Sequence, residues 1–147
     1  MKYLILLSIL VLSACTAVPK LASSSVSTDV MQLIEQTEEN APRGVKGTFQ
    51  FSIKAAAIEK GIVYLNTELD YRDRRSITVA LHPKTITAFR KKYGASPEVF
   101  FINKNIEVIG EAKQVKIWFL SNGKKTDKYY FQTHIRVNST KQIKVLN

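Results

Sequence analysis

From Val45 onward the apolar residues fall mostly at every second position. Phe49, Phe51, Ile53 and Ala55 alternate with Thr48, Gln50, Ser52 and Lys54, which predicts a half-buried strand. Glu59-Lys60-Gly61 turns the chain into a second strand, Ile62 to Leu69, with Val63, Leu65 and Leu69 on one face. A charged connection, Asp70-Tyr71-Arg72-Asp73-Arg74-Arg75, leads to a third strand. There Ile77, Val79 and Leu81 point inward and Ser76 and Thr78 outward. The period then lengthens. Ile86, Phe89 and Tyr93 recur at helical spacing between Pro83, which suits a first turn, and Gly94, which ends a helix. Ser96-Pro97-Glu98 opens a second, short helix. Alternation returns at Ile106, Val108, Gly110 and Ala112, then jumps to Val115, Ile117 and Phe119. That change of parity predicts a bulge near Lys113-Gln114. A polar loop over 121–127 precedes a strand with Tyr129, Phe131, Thr133, Ile135 and Val137 on one face. Ile143 to Leu146 makes a short last strand.

Ahead of Val45 the pattern differs. Met1-Lys2 and an apolar run from Tyr3 to Leu12 form a secretory signal, too short for a permanent membrane span. Residues 16–28 are rich in serine and read as a flexible tether. Val30, Leu33 and Ile34 predict a short helix over 29–39, and Ala41-Pro42-Arg43-Gly44 breaks the chain. The division is a signal peptide over 1–14, an N-terminal segment over 15–43 and one domain over 44–147.

The signal ends in Leu12-Ser13-Ala14-Cys15, which resembles the lipobox of bacterial lipoproteins. The resemblance implies cleavage before Cys15, a diacylglyceryl group on its thiol and an acylated amino terminus, palmitate included. It also implies a lipid anchor in the cell envelope. Thr16 stands where an Asp would favour inner-membrane retention, so the same resemblance implies the outer membrane, facing the periplasm. Cys15 is the single cysteine, so the chain forms no internal disulfide and its core alone holds the domain together. No cofactor is expected beyond this covalent lipid.

The order of elements, three strands, helix, two strands (β-β-β-α-β-β), is that of an OB-fold, a five-stranded, partly open barrel. Residues 70–81, 89–94 and 132–145 are similar to bacterial OB-like domains, a likeness of fold over residues 44–147. Another small mixed barrel or an α+β sandwich fits the same string.

Charge adds the functional element. Residues 41–147 hold 20 Lys and Arg against 8 Asp and Glu. Such a domain attracts polyanions at low salt, or uses the charge for solubility. OB-folds bind ligands on strands 2 and 3 and the loops joining strands 1–2 and 4–5. Those places carry Lys60, Tyr64, Tyr71, Arg72, Arg74, Arg75, Lys124, Lys125 and Lys128, and cations among aromatics suit a single-stranded nucleic-acid groove. Lipid head groups, peptidoglycan, lipopolysaccharide or an acidic envelope protein are the partners an envelope would offer. Trp118 points opposite Ile117 and Phe119, as a surface anchor or packed beneath a loop.

Catalytic signals are thin. His82 and His134 lie far apart with no metal-ligand spacing, and no nucleophile or phosphate-loop motif is present. Asp70 and Asp73 lie three apart beside Arg72, Arg74 and Arg75 and could serve a metal-dependent phosphodiesterase, but the adjacent arginines favour a salt-bridged turn instead. The reading is a non-catalytic binding protein. A phosphodiesterase or a purely structural envelope component is the alternative.

Overall fold

The computed structural model describes residues 27–146, and the signal segment and Cys15 lie outside them. The described chain is mainly β. Helix α1 (Val30–Glu39) leads into strands β1 (Val45–Ser52), β2 (Ala55–Glu59), β3 (Ile62–Asn66) and β4 (Ile77–Leu81). Helices α2 (Pro83–Tyr93) and α3 (Pro97–Phe100) follow. Strands β5 (Asn105–Ser121), β6 (Lys124–Val137) and β7 (Ile143–Leu146) complete the chain. All seven strands join one sheet in the order β1-β5-β6-β4-β3-β2, with β7 also on β5. The pairings are antiparallel except β4 with β6, which is parallel.

Seven strands replace the expected five for local reasons. The predicted first strand breaks at Ile53-Lys54. Ile53 N–H donates to Lys104 and Lys54 N–H donates to Asn66, partners at opposite ends of the sheet. β1 therefore pairs with β5 and β2 with β3. The ladder is open between β1 and β2, yet two residues of chain connect them. β7 is the short last strand expected over Ile143–Leu146, additional to the five of the barrel.

The core is the inner face of this sheet. Phe51, Ile53, Val63, Leu65, Ile77, Val79, Leu81, Ile106, Val108, Ile135 and Val137 are buried there. Gly110 belongs to this packing, since a Cβ on it would stand 2.7 Å from Ile135 Cγ2. One end is filled by Phe89 and Tyr93 from α2, by Phe100 from α3 and by Phe101 just after it. Pro83 sits in the first turn of α2, His82 Nδ1 accepts from Lys84 N–H, and Gly94 closes the helix in the left-handed region at φ 72°.

Several expectations change. The segment before residue 44 does not stand apart from the folded domain. Leu33 is buried in the core, and the Thr37 and Thr133 hydroxyls meet at 3.2 Å, so 41–44 is a turn within the folded body. The second strand stops at Asn66, and Leu69 lies outside it, 79% exposed. Ser76 and Thr78 are buried, Thr78 by donating to Asn66 Oδ1 at 2.8 Å.

No bulge lies at Lys113-Gln114. β5 pairs in unbroken register with β6 from Ala112 to Trp118, and the shift falls between Trp118 and Leu120. The apolar parity changes because the strand leaves the body. Past Ala112 it has no β1 partner, and before Thr133 β6 has no β4 partner. Residues 113–121 and 124–132 thus form a two-stranded arm. It turns at Asn122 (φ 49°) and Gly123 (φ 74°), the left-handed pair that a tight two-residue hairpin needs.

Candidate ligand-binding face

Directly paired residues on antiparallel strands share a face, so the register assigns the outer surface. Ala57 pairs with Tyr64 and Tyr64 with Ala80, while Thr78 pairs with His134 across the parallel ladder. On the arm, Ile117 pairs with Tyr130 and Val115 with Gln132. Tyr64, His134, Gln132, Tyr130 and Ile117, with Tyr71 from the connection after β3, line an outer hollow of about 370 Å3.

Polar contacts hold this lining in place. Gln132 Nε2 donates to the Tyr71 carbonyl at 2.8 Å, tying the connection to β6. The Gln132 Oε1 thus faces His134 Nε2 at 2.7 Å and can only accept, so His134 carries its proton on Nε2. Burial, then the charge of Arg136, pushes the imidazole down to about 4, and the ring is neutral at pH 7. Tyr64 meets it edge-on, with ring centroids 6.2 Å apart. Burial raises the Tyr64 and Tyr130 phenols above their usual range, so both stay donors. The hollow therefore presents neutral aromatic and amide groups together with one carboxylate, Glu59. The charge of Glu59 and, less strongly, that of Arg136 act on Tyr64, Arg136 also acts on His134, and Arg72 acts on Tyr130.

The nine residues expected to bind do not all meet. Tyr64 and Tyr71 line the hollow, and Arg72 stands beside them with its guanidinium carbon 5.6 Å from the Tyr71 ring. Arg72 and Arg74 line a neighbouring groove with Phe119, Tyr130 and Phe131. Arg75 is turned onto Asp73 at 2.8 Å, and Lys60 lies in the β2–β3 turn, 3.7 Å from Glu59. Lys124, Lys125 and Lys128 sit at the end of the arm. Sequence reasoning passed over Tyr130, Gln132, His134 and Arg136. Their signal was parity, because even positions on β6 face away from Thr133, Ile135 and Val137.

The two carboxylates have separate duties. Asp70 accepts from the backbone and side chain of Arg72, and Asp73 does the same for Arg75. Hydrogen bonds from these arginines lower both carboxyls, Asp73 to about 2. Each aspartate thus closes its own three-residue turn, with its oxygens committed to an arginine. Among the described residues no three His, Cys, Asp or Glu side chains cluster as a metal site.

No family model matches this sequence, and no curated protein matches it. Among solved structures the chain is similar to the aspartyl tRNA synthetase from Entamoeba histolytica. Identity is 16% and the TM-score 0.45, over 92% of this chain and 24% of that one. It is also similar to a chain assigned as an aspartyl-tRNA synthetase from Leishmania major Friedlin, at 13% identity and TM-score 0.40. That match spans 90% of this chain and 23% of the other. The chain thus spans about a quarter of the length of either protein. With both TM-scores below 0.5, strand order and register are what bear on the fold.

Proposed function

We propose that this chain is a lipid-anchored envelope protein whose OB-like domain binds an anionic ligand without catalysis. The OB-like reading is supported by the β2–β3–β4 meander, the helices that follow it and the β5–β6 hairpin whose second strand returns beside β4. The observation that carries the binding role is the outer hollow. It gathers Tyr64, Tyr71 and Tyr130 on the face of β3, β4 and β6, within the field of Arg72 and Arg136 and with Glu59 as the one carboxylate in its lining. Aromatic faces suit planar or ring-bearing groups, and the net positive domain suits the phosphates or carboxylates that accompany them. The anchor rests on the resemblance of Leu12-Ser13-Ala14-Cys15 to a lipobox, and Thr16 in place of Asp supports the outer membrane, facing the periplasm, as its location.

Binding is measured with the full chain against a single-stranded oligonucleotide, lipopolysaccharide, peptidoglycan fragments and an acidic envelope protein fraction, each at two salt concentrations. Tyr130→Ala is expected to weaken the preferred ligand by about 1–3 kcal/mol, the range for loss of one stacked aromatic. Affinity is expected to fall steeply with salt. Binding that ignores Tyr64→Ala and Tyr130→Ala removes the hollow from the account. Binding of the protein fraction alone, stable at high salt, favours a structural role in an envelope complex.

The anchor has its own test. Cys15→Ala is expected to abolish labelling by a palmitate analogue and to leave the chain as an unacylated precursor. Unchanged labelling and fractionation would reject lipidation at this residue.

A further inference from the structure

The arm carries a second surface, on the face opposite the hollow. Lys116 pairs with Phe131 and Trp118 with Tyr129, which sets these four side chains side by side. Leu120 and Lys125 are paired beyond them. The rings form a row, with centroids 5.3 Å apart for Trp118–Tyr129 and 5.5 Å for Tyr129–Phe131. Lys116 Nζ lies over this row, 4.3 Å from the Tyr129 centroid, 5.4 Å from Trp118 and 5.7 Å from Phe131. Lys125 Nζ lies 5.8 Å from the Trp118 ring. Tyr129 and Phe131 keep nearly half their surface in solvent, and Phe131 borders a groove shared with Glu38 of α1 and Arg74.

A two-stranded ribbon standing alone in water is marginal, and exposing such a row adds to the cost. Three properties decide what covers it. The composition is that of a bilayer interface, where Trp and Tyr rings settle at head-group level and lysine stems run past them to reach phosphate. The charge of the arm itself is one-sided, since residues 115–131 hold Lys116, Lys124, Lys125 and Lys128 against Asp127 alone, while Glu35 and Glu38 of α1 border the Phe131 end. The backbone sets the depth. Both ribbon edges carry unpaired N–H and C=O groups, which hydrocarbon does not tolerate, so the arm rests among head groups and does not cross.

We propose that the Trp118–Tyr129–Phe131 face of the arm docks on an anionic lipid bilayer. This contact is separate from the hollow and does not require the acyl group on Cys15. It would hold the arm flat on the surface and leave the opposite face, with the hollow, turned to the aqueous side.

Trp118 is the single tryptophan of the chain, so its fluorescence reports on the arm however the rest of the protein is held. The full chain is mixed with vesicles of phosphatidylcholine alone and with vesicles containing phosphatidylglycerol. The expected result is a shift of Trp118 emission to shorter wavelength and a several-fold drop in acrylamide quenching, on the anionic vesicles only. Lys116→Glu with Lys125→Glu is expected to lose both changes, whereas the matched pair Lys84→Glu with Lys91→Glu on α2 keeps them. Vesicles that sediment with the chain and leave Trp118 unchanged overturn the proposal. So does a response to a single-stranded oligonucleotide but to neither vesicle, which assigns the row to nucleic acid. Because Trp118 does not line the hollow, failure here leaves the hollow's ligand to be judged by Tyr130→Ala.

Discussion

Phe101→Ala is expected to lower the free energy of unfolding by about 3–5 kcal/mol, the range for emptying a fully buried aromatic position. Phe101 has no solvent-exposed surface. Its ring meets Phe89 at 5.6 Å, Tyr93 at 5.5 Å and Phe100 at 5.1 Å, each nearly edge to face. These partners come from α2 and α3, so Phe101 is where both helices are fixed to the sheet. The backbone adds to the role. Phe101 C=O accepts from Lys104 N–H, and Lys104 C=O accepts from Ile53 N–H at the break between β1 and β2. A cavity here loosens the helical plug and the joint together. Phe101→Leu, which keeps most of the volume, is expected to cost far less. Urea unfolding of both variants checks this. A loss under about 1 kcal/mol for the alanine form would mean that the site collapses freely and the plug is not rigid.

The second large effect concerns acid. Folded His134 takes a proton only near pH 4, whereas an unfolded histidine does so near 6.5. Between those values the unfolded chain binds more protons, so stability falls as pH falls. The contribution is fully present above about 6.5 and is lost by about pH 4. Its upper limit is about 3 kcal/mol, from the linkage of one shifted group. Asp73, held near 2 by Arg75, titrates in the folded state below this window and does not mask it. Urea midpoints at pH 7, 5.5 and 4.5 are expected to decline for the native chain and to flatten for His134→Gln. Equal slopes in both proteins would assign the acid sensitivity to other groups.

Much of this architecture could be read from period alone. Helix α2 was legible because Pro83, Gly94 and the Ile86, Phe89, Tyr93 spacing all point the same way. The β5–β6 hairpin was legible for the same reason. What stayed hidden depended on tertiary partners. The alternation through Ile53 and Ala55 is unbroken in sequence, and only Lys104 and Asn66 divide it into two strands. Leu69 has the right parity for a strand that ends three residues earlier. Lys113-Gln114 looked like a bulge because apolar residues changed sides. The cause is that the arm has two faces and no core.

The same holds for the site. Charge drew attention to Arg75, Lys60 and the arm lysines, but a lysine's position in sequence does not say which face it serves. Arg75 is spent on Asp73, and Lys125 lies by Trp118 on the other side from Tyr64. Tyr130, Gln132 and His134 were selected by a different rule, alternation against the buried residues of β6, and it takes the parallel register with β4 to bring them to Thr78 and Tyr64.

That parallel register has a consequence for the order in which the chain assembles. β2 and β3 pair through a two-residue turn, β3 and β4 through a ten-residue connection, and β5 and β6 through another two-residue turn, so each group can form early from nearby residues. β4 reaches β6 only across more than fifty residues, Ile77 to Thr133 being the first pair of the ladder. Closing so long a loop costs entropy before any contact returns it, and such contacts set the pace of folding. Two preformed ribbons meeting late, with β4 and the lower half of β6 as exposed edges until they do, is the expected sequence. The interval before they meet is when this protein is most open to pairing with a copy of itself.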